Sequence, residues 1–134
     1  IGEAAARLAC YDGAADALAK AQAAGDVVVV DRAQVREVRR QAFGFHLPSL
    51  DLLPRAPKEA PLQQVDFVLA SAGRTSEGKW AMVAEDGARW VQTDSEDIDN
   101  PPHAGSRLLV RAGALGGFFC KVDNQIAVRC RRQQ

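Results

Sequence analysis

The sequence predicts an α+β protein in which N-terminal helices and a proline-rich arm precede a small antiparallel β-barrel of five strands. Three observations support this fold class. Apolar residues recur at helical spacing before residue 43, four prolines interrupt residues 48–61, and apolar residues alternate with polar ones from Leu62 onward. We therefore divide the chain into a helical region at 1–43, an arm at 44–61 and a barrel at 62–134.

The composition is that of one folded domain, or of a small domain with an appendage. The chain has 134 residues, and its 17 basic and 17 acidic residues cancel, so no overall field selects nucleic acid or an anionic membrane. No apolar run approaches the ~18 residues that a transmembrane helix needs, and the candidate Val27 to Val30 has only four. We interpret this run as a short buried strand or an extended lead-in to the second helix.

Two helices are predicted in the first region. The first runs from Ile1 to Ala24, weakens at Asp12-Gly13 and ends at Gly25. The second begins after Asp31, whose side chain is suited to cap it. Each helix carries an apolar stripe. We expect the stripe of the first helix to pack closely on another element and the second helix to be half exposed to solvent. The stripes consist of Ile1, Ala4, Leu8, Tyr11, Ala15 and Leu18 in the first helix, and of Val35, Val38 and Ala42 in the second.

The arm has two halves of different character. Prolines exclude both a helix and a central strand from it. Its first half nevertheless contains large apolar residues, which a pure linker would lack. We therefore predict that residues 43–53 dock on the protein and that residues 54–61 form an extended spacer. The apolar residues of the docked half are Phe43, Phe45, Leu47, Leu50, Leu52 and Leu53.

Turn signals indicate how the barrel strands pair. Asp86-Gly87 predicts a two-residue hairpin turn that sets Val83 opposite Trp90. Residues 123–125 predict a three-residue loop, because that length keeps the apolar residues of both flanking strands on one face. Short strands with glycine-containing turns are typical of an SH3-like or OB-like barrel, which closes its own edges.

Three cysteines leave at least one thiol without a partner in this chain. The predicted register places Cys120 opposite Val128, so a bond to Cys130 would need a diagonal that strand geometry disfavours. Cys10 is interpreted as a partly buried free thiol, or as bonded to Cys120, to Cys130 or to a cysteine upstream of Ile1. In a reducing cytosol, three buried thiols would need no pairing at all.

No catalytic or metal-binding constellation emerges from the sequence. The two histidines, His46 and His103, lie in the arm and in a loop, and neither belongs to a motif with a nucleophile. Cysteine and histidine spacings do not match a zinc site. Residues 94–100 are acidic but lack the ligand pattern of a calcium loop, and the glycines of residues 113–117 indicate a tight barrel corner rather than a phosphate loop. We therefore expect no catalytic residue, metal or cofactor.

The candidate partner surface combines the apolar arm with a basic face of the barrel. The last third of the chain is basic, and Phe118 and Phe119 lie among its positive charges. We expect the partner to be a protein of the cell envelope or a second copy of this chain. The candidate residues on the basic face are Arg107, Arg111, Lys121 and Arg129.

The segment Arg7-Leu8-Ala9-Cys10-Tyr11-Asp12 resembles the N-terminal signature of small exported proteobacterial proteins, among them the type VI secretion-associated TagO/VasI-like family. A longer similarity, over residues 27–45, 90–94 and 113–119, resembles an uncharacterised family of small exported proteobacterial proteins. This resemblance implies a periplasmic or secreted protein whose signal peptide has been removed. It also implies a disulfide between Cys10 and a cysteine upstream of Ile1. That upstream cysteine is not part of this sequence.

We expect a non-catalytic envelope protein, periplasmic or secreted, that acts as a binding or assembly module. One alternative is a nucleic-acid-binding barrel, in which the basic face contacts phosphates. A third hypothesis is a hydrolase that uses His46 or His103.

Overall fold

The computed structural model describes residues 3–27, 29, 31–45 and 60–134. Two helices precede a closed antiparallel barrel, as the α+β prediction requires. The residues form two compact units, Ile1–Arg36 and Glu37–Gln134. Residues 46–59, which include His46 and most of the predicted arm, lie outside the described part of the chain.

Helix α1 (Ala4–Ala24) is continuous, so the weakness predicted at Asp12-Gly13 does not interrupt it. Alanine occupies most of the neighbouring positions, and its high helix propensity offsets the cost of one glycine. The helix ends at Gly25, whose left-handed backbone lets its N–H bond the carbonyls of Ala21 and Gln22, as the sequence predicted. No residue of α1 is buried.

Helix α2 (Arg32–Ala42) begins at the predicted cap. The carboxylate of Asp31 accepts a hydrogen bond of 2.8 Å from the N–H of Ala33, which satisfies one of the free donors of the first turn. Val27 and Val29 precede this helix as irregular, exposed backbone and form no strand.

The barrel contains six strands rather than the predicted five. They are β1 (Gln64–Arg74), β2 (Trp80–Ala84), β3 (Arg89–Gln92), β4 (Arg107–Ala112), β5 (Phe118–Val122) and β6 (Ala127–Gln133). The order around the closed barrel is β1-β2-β3-β6-β5-β4, and every neighbouring pair is antiparallel. The predicted number was wrong because each alternating segment pairs as a strand of its own.

Strand β1 closes the barrel by pairing with two neighbours. Its first half, from Gln64 to Val68, pairs with β4, and its second half, from Leu69 to Arg74, pairs with β2. The register shifts between Leu69 and Ser71, which is the signature of a β-bulge. A bulge bends the strand and increases its twist, so one long strand is able to contribute to both sides of the barrel.

The β2–β3 hairpin differs from the prediction by one residue. Met82, not Val83, lies opposite Trp90. Ala84 and Ala88 are joined by a hydrogen bond of 2.8 Å, so the loop holds three residues instead of two. The last of them, Gly87, has φ of 86°, the left-handed conformation that such loops need. This register points Trp90 into the barrel, where it is fully buried.

The β5–β6 pair contains a disulfide between Cys120 and Cys130. The predicted register was right, because Cys120 lies opposite Val128 and Phe118 lies opposite Cys130. The expectation that this register disfavours the bond was wrong. The strands of a small closed barrel twist strongly, which shortens one diagonal across a pair, and the two cysteine Cα atoms are 5.8 Å apart. Cys10 is exposed and is the free cysteine of the described residues.

The connection between β3 and β4 is fixed to the barrel by polar contacts. Buried Gln92 donates hydrogen bonds to the carboxylate of Asp94 and to the carbonyl of Glu96. Further along, Asn100 and Gln125 exchange two hydrogen bonds of 2.8 and 3.0 Å, and Ile98 is buried in the core. The acidic run is therefore a structured loop of the barrel. Among the described residues, no helix is long and apolar enough to cross a membrane.

Candidate binding surface

The start of the predicted arm is docked on the barrel through Phe43. Its side chain is only 8% exposed and lies in the core. The ring centroid is 5.3 Å from that of Phe118 and 6.2 Å from that of Trp90. Phe43 therefore holds the end of α2 against the barrel, and its side chain is not part of the accessible surface. Four further arm candidates lie outside the described residues: Leu47, Leu50, Leu52 and Leu53.

Arg132 fastens the residues that follow Phe43. Its Nη1 donates a hydrogen bond of 2.8 Å to the carbonyl of Phe43, and its guanidinium carbon lies 4.5 Å from the ring centroid of Phe45. Burial lowers the pKa of Arg132, and the negative charge of Asp86 opposes this shift. Phe45 is thus half-buried beneath a guanidinium group, which limits what it can offer to a partner.

Arg40 makes a second attachment between α2 and the barrel. Its Nη2 donates a hydrogen bond of 2.9 Å to the carbonyl of Asp66 and lies 3.6 Å from the carboxylate of Asp86. The guanidinium also lies over the ring of Phe67, 5.1 Å from its centroid. A half-open depression of about 250 Å³ adjoins Arg40. Because the charge of Arg40 is already neutralised by Asp86, this depression presents no unpaired arginine to a ligand.

A different surface is formed on the outside of β4, β5 and β6. We define the Phe119 face as Arg111, Phe119, Lys121 and Arg129. The strand register places Arg111 and Arg129 directly opposite Phe119, one on each neighbouring strand. Their guanidinium carbons lie 5.9 and 5.7 Å from the centroid of the Phe119 ring. One cation is therefore held on each side of the half-buried aromatic side chain.

The guanidinium groups of the Phe119 face have no carboxylate partner within the described part of the chain. Arg129 does approach Asp94, but through its backbone N–H, which donates a hydrogen bond of 2.6 Å to that carboxylate. Arg107, the fourth basic residue predicted for this surface, differs. Its Nη2 and Nε lie 2.6 and 2.7 Å from Oδ1 of Asp66, so its charge is paired. Among the described residues, the cations of the predicted set without a carboxylate partner are Arg111, Lys121 and Arg129.

The β4–β5 turn, which adjoins Phe119 through Gly113, carries an exposed apolar side chain at its tip. Residues 113–117 form the tight corner that the sequence predicted, with Gly116 and Gly117 both at positive φ. Gly113 allows this corner to pack on the aromatic ring, since a Cβ there would lie 3.1 Å from Cε2 of Phe119. Leu115 is fully exposed at the tip. Sequence reasoning missed Leu115, although an apolar residue enclosed by glycines is a visible signal.

The remaining candidate chemistry is sparse. The Nδ1 atom of His103 lies 2.8 Å from the carbonyl of the next residue, Ala104, in an exposed loop. Within the described ranges, no cluster of three or more His, Cys, Asp or Glu residues is suited to hold a metal ion. Comparison with known proteins finds no matching family model, no matching curated protein and no matching solved structure.

Proposed function

We propose that this protein is a non-catalytic binding module of the bacterial cell envelope, and that its Phe119 face binds an acidic segment of a protein partner. One observation carries the proposal. Arg111 and Arg129 are held on either side of Phe119 without a carboxylate partner among the described residues. A guanidinium is a planar group whose donors match the two oxygens of a carboxylate, so each arginine is suited to bind one acidic side chain.

The geometry also favours a particular arrangement of acidic residues. Neighbouring strands are about 4.8 Å apart, so the backbones that carry Arg111 and Arg129 are separated by about 10 Å, with Phe119 between them. Two carboxylates at that separation leave room for an apolar side chain against Phe119, and Leu115 offers a second apolar contact. Successive side chains of an extended segment point to opposite faces, so the preferred segment carries an acidic, an apolar and an acidic residue at every second position. The rigid barrel holds this site in place, which reduces the entropic cost of binding.

The disulfide supports assignment to an oxidising compartment. Cys120 and Cys130 are both buried, and such structural disulfides are typical of secreted and periplasmic proteins. The resemblance of residues 7–12 to exported proteobacterial proteins points to the same compartment. The two arguments are independent, because the disulfide lies in the barrel and the signature lies in α1.

The Phe119 face is less well suited to nucleic acid. Single-strand binding combines phosphate contacts with a base stacked on an open aromatic face. Arg111 and Arg129 lie on either side of the Phe119 ring, so the ring has less open area for the flat face of a base than for a small apolar side chain placed between them.

The test is fluorescence anisotropy with two labelled probes of similar charge. One is a peptide that repeats glutamate, serine, leucine and serine, so that its glutamates and leucines share one face when it is extended, and the other is a single-stranded oligonucleotide. We expect the peptide to bind and Arg129→Glu to weaken its binding about tenfold, because one ion pair is replaced by a repulsion. Arg89→Glu is the matched control: it makes the same charge change on an exposed residue of β3, and should alter binding less than twofold.

Absence of peptide binding at low salt would contradict the proposal. So would equal effects of Arg129→Glu and Arg89→Glu, since these would indicate general electrostatic attraction rather than a site. Tighter binding of the oligonucleotide than of the peptide would favour the nucleic-acid alternative.

A further inference from the structure

Helix α1 carries an apolar seam that the described structure leaves uncovered. Leu8, Tyr11 and Leu18 are 62%, 66% and 51% exposed, and no residue of the helix is buried. With Ala4 and Ala15, these residues are spaced alternately by four and three positions along the helix. This spacing averages 3.5 residues, the repeat at which the apolar seams of two helices stay in contact as they wind around each other.

We propose that α1 pairs with α1 of a second copy of this chain in a parallel two-stranded coiled coil. A second copy is a suitable occupant because its identical seam has the same repeat and the same length. The proposal is independent of the function proposed for the Phe119 face, since it uses different residues on a different element.

Charge beside the seam selects the parallel orientation. In a heptad with Leu8 and Ala15 at position a, Arg7 occupies position g and Asp12 occupies the following position e. In a parallel coil, residue g of one helix faces residue e of the other helix five positions later. Arg7 therefore faces Asp12 of the partner subunit, and symmetry produces this attractive pair twice.

The antiparallel arrangement lacks this complementarity. If Leu8 contacts Leu18 of the partner subunit, the two helices cross near position 13. Position e of one helix then faces position e of the other helix, which places Asp12 beside Asp12 of the partner subunit. Most other positions flanking the seam are alanines, which neither help nor oppose either orientation: Ala5, Ala14, Ala19 and Ala21.

The proposed dimer is weak. The seam is about two heptads long, from position 4 to position 18, and two of its five residues are alanines, so its area is below that of a standard stable interface. We expect the dissociation constant of the dimer to lie between about 10 µM and 1 mM. A weak interface of this kind is sensitive to single charges, which makes the orientation testable by substitution.

Sedimentation equilibrium of the full chain up to 1 mM tests the seam. Leu8→Glu with Leu18→Glu should weaken association at least about tenfold, because glutamates then face each other across the seam. The matched control is Ala6→Glu with Ala17→Glu, which adds the same charges to the opposite side of the helix and should leave association unchanged. Neither pair removes a buried residue, so both variants should fold.

Charge reversal and a distance measurement test the orientation. Arg7→Asp and Asp12→Arg should each weaken the dimer, and the variant with both changes should restore it. A spin label at Ala24→Cys, in a Cys10→Ser background, should lie level with its counterpart in a parallel coil. In an antiparallel coil the two labels would be displaced by about 33 Å along the axis.

A chain that is monomeric at 1 mM would overturn the proposal and would indicate that the seam has another occupant, such as a different protein. A dimer that survives both seam substitutions, or labels displaced as in the antiparallel coil, would overturn it as well.

Discussion

At the scale of single residues, Gly44 shows how closely the chain after α2 fits the barrel. Its φ is 91°, a conformation that side chains rarely adopt. A Cβ at this position would lie 2.5 Å from Cη2 of Trp90 and 3.0 Å from the Cβ of Arg132. Both the backbone conformation and the available space therefore require glycine here.

Gly44→Ala should lower the free energy of unfolding by about 2–4 kcal/mol, because it adds backbone strain to a steric overlap with Trp90. Urea unfolding followed by tryptophan fluorescence measures this change. Gly73→Ala is the matched control: Gly73 lies in β1 with open space around its Cα and no positive φ, and its substitution should cost less than about 0.5 kcal/mol. Equal losses for the two variants would show that the segment after α2 does not fit the barrel as described.

The sequence predicted only part of the candidate binding surface correctly. Three residues predicted for the binding surface lie together on the outside of the barrel: Arg111, Lys121 and Arg129. The pairing of Arg107 with Asp66 joins two strands that are far apart in the chain, so no local pattern reports it. Phe43 was read as a partner contact because it is apolar and close to prolines, whereas the barrel encloses it.

At the scale of elements, the disulfide joins the last two strands of the barrel. It spans 10 residues and links positions that are diagonal in the β5–β6 register. A covalent link of this kind restricts the unfolded chain and so favours the folded state. The register itself followed from the apolar pattern of residues 118–130, but the twist that brings the two cysteines together depends on closure of the whole barrel.

Replacing both Cys120 and Cys130 by alanine should reduce the free energy of unfolding by about 2–3 kcal/mol, the amount expected for a loop of this length. Urea unfolding of the wild-type protein with and without a thiol reductant should give the same difference. Cys10→Ser is the control and should leave stability unchanged, because Cys10 is exposed and unpaired among the described residues. A wild-type protein whose stability does not respond to the reductant would contradict the described bond.

At the scale of the whole molecule, the two compact units differ in how their residues are buried. The helix α1 contributes no buried residue, whereas the barrel encloses a continuous core that includes Trp90, Phe67 and Leu69. Local stability follows buried apolar contacts, so the two units should open with very different free energies.

Hydrogen exchange should reveal this difference. At low micromolar protein concentration, the amides of α1 should exchange at least about 100-fold faster than the paired amides of β1 and β4, because little packing holds the helix closed. Mass spectrometry of exchanged peptides measures both rates in one sample. Comparable protection in α1 and in the barrel would contradict the description of α1 as an element without buried side chains.

Much of the overall architecture followed from the sequence. The order of helices before barrel, the cap at Asp31, the stop at Gly25 and the register of β5 with β6 all depend on local patterns. The strand number was wrong because every alternating segment pairs as a strand of its own, and the β2–β3 register was wrong because the loop holds three residues rather than two.

Closure of the barrel also restricts how any partner is recognised. Each of the six strands has a hydrogen-bonded neighbour on both sides. An incoming peptide therefore finds no open strand to extend, and its main chain has no ladder of amides to join. Recognition has to proceed through side chains resting on the outer wall, so sequence and charge in the partner matter more than its backbone conformation. The same closure protects the folded protein from the edge-to-edge stacking by which open sheets aggregate.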